Sequence, residues 1–242
     1  MRRIRSILGV DGCRAGWITV ETKNQLNWNV EVFSTIQELW EHYSNALLIL
    51  IDIPIGLRDK GPLPRLCDMS ARKFLTRKRS SSIFPTPCRL AMEAASYKEA
   101  NEINRSQTGK GLSKQTWNIT DKIKEVDFLL RNMVKTQNVF IESHPEACFT
   151  ALNGNPLEYY KKTDNGIRER FSILKKYYKD IESHANHRIE KFNNREIAID
   201  DILDAWILAV SASRGLLNLK FLPNNFEFDS MGLPMRIAIP KN

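Results

Sequence analysis

Apolar and polar positions change period several times along this chain, and each change marks an element. Ile4 to Val10 is apolar and β-branched apart from an arginine, a serine and a glycine, and it stops at Asp11-Gly12, as a strand meeting a tight turn does. Trp17-Ile18-Thr19-Val20 resumes the strand pattern. Asn27 to Phe33 then sets Trp28, Val30 and Val32 against Asn29, Glu31 and Phe33, so the first 33 residues predict a three-stranded antiparallel meander. A helix should follow, because Ser34 or Thr35 can cap it, Glu38 stands where a capping box wants an acid, and Ile36, Leu39, Trp40 and Tyr43 share one face. Ala46 to Ile53 is an aliphatic run interrupted only by Asp52 and closed by Pro54 and Gly56. That is the pattern of a central strand buried on both faces.

From Leu57 to about Gln137 no strand pattern occurs. Loops rich in proline and serine separate helical stretches such as Lys122 to Val134, so residues 57–137 read as a helical insertion within a single domain spanning 1–242. Val139-Phe140-Ile141 is a second short buried strand ending at Glu142. Pro156 to Arg195 is polar and mostly helical. Ile199 to Leu217 is a strongly apolar helix that opens with Asp200-Asp201 and includes Asp204, and Phe226 to Pro240 predicts a hairpin. The expected fold class is α/β: a mixed sheet, antiparallel meander plus parallel strands, flanked by helices.

Composition narrows the class. Hydrophobic residues at 42% and charged residues at 26% are ordinary for a folded globular chain. The longest apolar run, Ala46 to Ile51, falls far short of the roughly 20 residues needed to span a bilayer, and Met1-Arg2-Arg3 leads to no export signal. Cys13, Cys67, Cys88 and Cys148 are scattered without a CxxC pair, as reduced thiols of a cytoplasmic protein would be. The net charge of +8 is local: between Arg58 and Arg89, nine basic residues against Asp59 and Asp68 leave +7. Such a segment attracts polyanions, and nucleic acid is the expected partner.

Asp11, Asp52 and Glu142 each follow an apolar strand at the point where ligands bind in open α/β sheets. Converging carboxylates repel one another, so the group calls for a cation, and oxygen-only ligands suit Mg²⁺ or Mn²⁺. Each acid also has a plainer reading. Asp before glycine or proline is a common turn former, and Asp200 and Asp201 can cap a helix. Asp204 resists that explanation, since its neighbours Leu203, Trp206, Ile207 and Leu208 are apolar and an unpaired carboxylate there is costly. Asp201 and Asp204, three apart, project from nearly one face.

Other constellations carry less. His184-x-x-His187 reads as a solvated helix face rather than a metal pair, and His144 could orient Glu146 or act in proton transfer, although a capped turn before Pro145 explains it as well. Ser80-Ser81-Ser82 lacks a nucleophile elbow. Thr108-Gly109-Lys110-Gly111 fails the phosphate-loop pattern because Asn104 replaces its first glycine and no Ser or Thr follows Lys110. Candidate polyanion contacts are Arg14, Arg65, Arg72, Arg79 and Lys114, with Phe74, Phe84 and Trp117 as stacking surfaces; solvated helix faces are the competing reading.

Five segments carry a resemblance: Gly9 to Trp17 (GVDGCRAGW), Ile51 to Leu57 (IDIPIGL), Ser81 to Pro87 (SSIFPTP), Glu142 to Glu146 (ESHPE) and Asp200 to Ala205 (DDILDA). Together, in order, they resemble domain of unknown function 429, a family predicted to be ribonuclease-H-like nucleases. The wider ribonuclease-H-like group is similar in placing acids on the first strand, after the fourth, and as a D-x-x-D pair on the last helix. That resemblance implies a ribonuclease-H-like sheet with Asp11, Asp52, Asp201 and Asp204 as metal ligands, Glu142 and Glu146 being extra acids.

The function expected from these features is a nuclease that hydrolyses phosphodiesters with two Mg²⁺ or Mn²⁺ ions, Asp11 bridging them. Two ions about 3.5–4 Å apart can activate a water and stabilise the leaving oxygen. The alternatives are an actin-like or sugar-kinase-like ATP-binding phosphotransferase, whose further glycine-rich turns are not found here, and a nucleic-acid-binding module without turnover. Substrate strandedness and oligomeric state have no sequence signal.

Overall fold

The computed structural model describes residues 5–62, 64–191 and 197–241. Residues 1–4, with the start of the first predicted strand, and residues 192–195 of the polar helical stretch lie outside them. Packing divides the chain into two compact units. One comprises 1–52, 138–220 and 238–242; the other comprises 53–137 and 221–237. The predicted insertion therefore falls in the second unit, which also takes in part of the C-terminal hairpin.

The first unit is built on a five-stranded sheet. β1 (Ile7–Cys13), β2 (Gly16–Thr22) and β3 (Trp28–Phe33) form the antiparallel meander that the alternation predicts. β4 (Leu48–Ile51), buried throughout, runs parallel to β1, and β5 (Phe140–Glu142) runs parallel to β4, giving the order β3-β2-β1-β4-β5. The first strand does not stop at Asp11. Asp11 pairs with Ile18, Gly12 with Trp17 and Cys13 with Gly16, so the turn is Arg14-Ala15 and Asp11 is a strand residue. Between β3 and β4, α1 (Ile36–His42) starts as expected: Thr35 Oγ1 accepts the Glu38 N–H at 3.1 Å, and the Glu38 carboxylate accepts the Ser34 N–H at 3.1 Å.

In the second unit the helices are α2 (Leu66–Arg79), α3 (Arg89–Met92), α4 (Tyr97–Thr108), α5 (Lys114–Asn118) and α6 (Thr120–Asn132), and no strand occurs between 57 and 137 among the described residues. Buried charge organises this unit. Arg65, 1% exposed, donates to the Ile55 and Gly56 carbonyls at 2.9 and 3.0 Å and pairs with Asp68 at 2.7 Å. Arg89 joins Asp127 at 2.6 Å and Asp229 at 2.5 Å. Trp117 packs on Ala94, Ala100 and Leu112, and Gly109, at φ 75°, ends α4 in the left-handed conformation. The Thr108–Gly111 segment is thus a helix terminus.

Four further helices belong to the first unit: α7 (Pro145–Asn153), α8 (Asp164–Leu174), α9 (Ile181–Lys191) and α10 (Ile199–Ser213). The tail forms a two-stranded sheet of β6 (Leu219–Phe228) and β7 (Pro234–Pro240), longer than the hairpin expected from Phe226. α10 is buried at every residue from Ile202 to Ala212. Each buried leucine, isoleucine or valine among them contributes about 1.5–3 kcal/mol by leaving water. The helix lies directly on β1: a Cβ on Gly9 would stand 2.1 Å from the Ala205 carbonyl oxygen and 2.2 Å from the Ala209 nitrogen. Only glycine permits that approach, which brings Asp204 down over the sheet.

Candidate metal centre

Strand alternation decides which acids can meet. Gly9 faces α10, so Asp11, two residues on, faces it too. In the parallel register Gly9 lies beside Leu50, which puts Asp52, two residues beyond Leu50, on the same side. The ladder continues that far, since the Asp52 N–H donates to the Val10 carbonyl at 3.0 Å. Asp204 comes from α10 itself. Three carboxylates from three separate segments thus share the space between strand ends and helix, with Asp11 and Asp204 only 8% and 4% exposed. One Asp11 oxygen is held by the Gly12 N–H at 2.8 Å.

Their electrostatics reflect crowding. Burial, then the charges of Asp52 and Asp204, hold the Asp11 carboxyl well above the ordinary carboxylate range. Burial and Asp204 push Asp52 up to about 7, against the opposing pull of Lys161. Asp201 is pushed to about 6, mainly by burial. Lys161 was not singled out by sequence. Its ammonium stands 2.6 Å from Asp204 and 3.5 Å from Asp200. Burial alone would lower its pKa, but the charges of Asp204 and Asp11 prevail and raise it, so the group is a fixed cation. With Asp11, Asp52 and Asp204 all ionised, the single lysine would leave a net negative charge, which opposes their ionisation. The groups gathered here are carboxylates, whose oxygens are of the kind that a hard divalent ion prefers.

The family model described as protein of unknown function (DUF429) matches residues 9–227. The chain belongs to this family. No curated protein and no solved structure matches it.

In this DUF429 chain the other candidates are placed differently. Glu142 pairs in register with Ile51, and Ile51 with Val10, so its side chain leaves the sheet on the face opposite to Asp11 and Asp52. It ends a strand as expected, yet parity separates it from the aspartates. Asp201 accepts the Ala198 N–H at 3.0 Å, closing the first turn of α10, so it caps the helix while lying close enough to act on Asp11. Glu146 pairs with the fully buried Arg170 at 2.5 Å, tying α7 to α8. His144 is the residue before Pro145 at the start of α7, the position that the turn reading of its sequence describes. His184 packs edge-on against Trp206 rather than standing in solvent, and burial lowers its pKa.

The basic candidates divide in the same way. Arg65 is consumed by its buried pair with Asp68 and two carbonyls, so it cannot reach a polyanion. Arg72 donates to the Ile83 carbonyl at 2.7 and 3.2 Å. Arg79, half-buried at the end of α2, is followed by a 3₁₀ turn over Ser80–Ser82. Arg14 is exposed in the β1–β2 turn and Lys114 on α5. Lys73, Arg77 and Lys78 on α2 are the exposed basic side chains that the candidate set left out. Of the rings, Phe84 is 41% exposed and Trp117 serves the interior. The four cysteines are buried and none forms a disulfide among the described residues, and no helix among the described residues is long and apolar enough to cross a membrane.

Proposed function

We propose that this protein is a metal-dependent hydrolase of phosphodiester bonds in nucleic acid, built on a ribonuclease-H-like sheet. The observation that carries the reading is the convergence of Asp11, Asp52 and Asp204 from β1, the end of β4 and α10 onto one face of the sheet. The strand order β3-β2-β1-β4-β5, antiparallel then parallel, agrees with it. A divalent ion held by these aspartates would supply Lewis acidity and lower the pKa of a water so that hydroxide is available to attack a phosphodiester. The chain's own contributions are separate. The Gly12 N–H orients Asp11. Burial keeps bulk water from screening the carboxylates. Lys161 neutralises part of the charge that an incoming phosphate would meet. The exposed Lys73, Arg77 and Lys78 supply sequence-independent attraction for the backbone.

With Mn²⁺, the purified protein is expected to cut at least one of a panel of single-stranded, duplex, hybrid and branched nucleic acids. Loss of partners that merely orient a metal ligand already costs 10–100-fold, so Asp11→Asn should lower cleavage by about 100-fold or more. No cleavage on any substrate, or an Asp11→Asn variant as active as the parent, would sink the proposal. One observation favours a second reading: Lys161 already neutralises part of the acidic group, as it would in a nucleic-acid-binding module without turnover. Such a module binds with a strong salt dependence, and Asp11→Asn leaves that binding unchanged.

A further inference from the structure

Lys161 is held in the centre by a purpose-shaped connection between α7 and α8. Leu157 is fully buried, and the next two backbone N–H groups, of Glu158 and Tyr159, donate to the two oxygens of Glu169 at 2.8 and 3.0 Å. The Thr163 N–H and hydroxyl both return to the Tyr160 carbonyl, at 3.0 and 2.8 Å, and the same hydroxyl caps α8 by accepting the Gly166 N–H at 3.1 Å. A Cβ on Gly166 would stand 2.0 Å from the Tyr160 oxygen, so the turn seats on α8 only because that residue is glycine. The backbone is therefore fixed on both sides of Lys161. Its stem crosses toward α10, and its ammonium sits between Asp204 and Asp200.

We infer that Lys161 is a resident second cation of this centre, so that the aspartates take one divalent ion and not two. The inference rests on the divalent-ion reading above and revises its ion number. A second ion using Asp204 would have to displace an ammonium already 2.6 Å from that carboxylate and bring two like charges together at short range. A lysine ammonium is a compact point charge with three donors; one hydrogen bond to Asp204 and a longer ion pair with Asp200 leave it able to meet a phosphate oxygen as a second metal would. Lys161 acts in this scheme as a positioning residue that sets ion stoichiometry.

The test is a count of Mn²⁺ bound per full-length chain, by equilibrium dialysis with electron paramagnetic resonance of the free ion. Wild type and Lys161→Arg should bind one ion, and Lys161→Met, which keeps the stem and removes the charge, should bind two. If Lys161→Met does not fold, Lys161→Gln replaces it with the same expectation. Two ions in the wild type, or one ion in the folded neutral variant, overturns the inference while leaving the divalent centre standing. No ion in the wild type overturns both. A merely structural lysine would change stability without changing the count.

Discussion

Asp52 sits at the point where opposing demands on the centre meet, and its response to pH should report on them. Burial and the Asp204 charge move its pKa from the ordinary 3.8 to about 7. A carboxyl raised in this way binds its proton more tightly in the folded than in the unfolded chain. Its contribution to stability is therefore fully present below about pH 4 and is lost as pH rises through about 7. Without divalent metal, melting temperature should fall between pH 5 and pH 8, and Asp52→Asn should flatten part of that fall. Parallel pH profiles for the two proteins would show that Asp52 is not the group concerned. At this scale the sequence was uneven. Asp204 stood out because apolar neighbours surround it, whereas nothing separates Lys161 from the other members of the 36 basic residues until the fold brings its loop to α10. Asp201 carried both a capping and a ligand reading, and the structure shows it accepting the Ala198 N–H at the start of α10.

Elements rather than residues decide the geometry of the centre, and the contact of α10 with β1 is the decisive one. A methyl at position 9 would meet the helix backbone at about 2 Å, which neither element can absorb by a side-chain movement. Gly9→Ala is expected to lose about 1–3 kcal/mol or more in urea unfolding, as overpacked interiors do. It should also weaken Mn²⁺ binding, because Asp11 and Asp204 separate when the helix lifts. Thr35→Ala, which removes the cap of α1, should cost about 1 kcal/mol and leave Mn²⁺ affinity untouched. Equal effects of both variants on the ion would contradict this picture. Alternation and capping signals make the meander, α1 and β4 legible in the sequence itself. The extent of β1 was not legible, because Asp11-Gly12 looks like a turn and becomes strand only by pairing with Trp17 and Ile18 across the sheet. Glu142 shows the same limit: that it ends a strand is local, but which face it points from depends on register with β4.

For the molecule as a whole, the charge excess between Arg58 and Arg89 proves to be two populations. Arg65 and Arg89 are internal, and breaking the buried Arg65–Asp68 pair should cost about 3–5 kcal/mol of stability. Lys73, Arg77 and Lys78 are exposed on α2. Replacing all three by alanine should leave unfolding unchanged and reduce the slope of log K for nucleic acid against log salt by up to about 2–3. An unaltered slope would remove α2 from the binding surface. Sequence could count these charges but not sort them, since pairing with Asp68, Asp127 and Asp229 spans very different separations along the chain. The central claim, that Asp11, Asp52 and Asp204 form one divalent-ion centre, is tested most directly by anomalous diffraction from crystals soaked in Mn²⁺. The account predicts an anomalous peak coordinated by oxygens of those three aspartates, with Lys161 beside it. A soaked crystal with no peak there, or with Mn²⁺ bound only elsewhere on the chain, would contradict it.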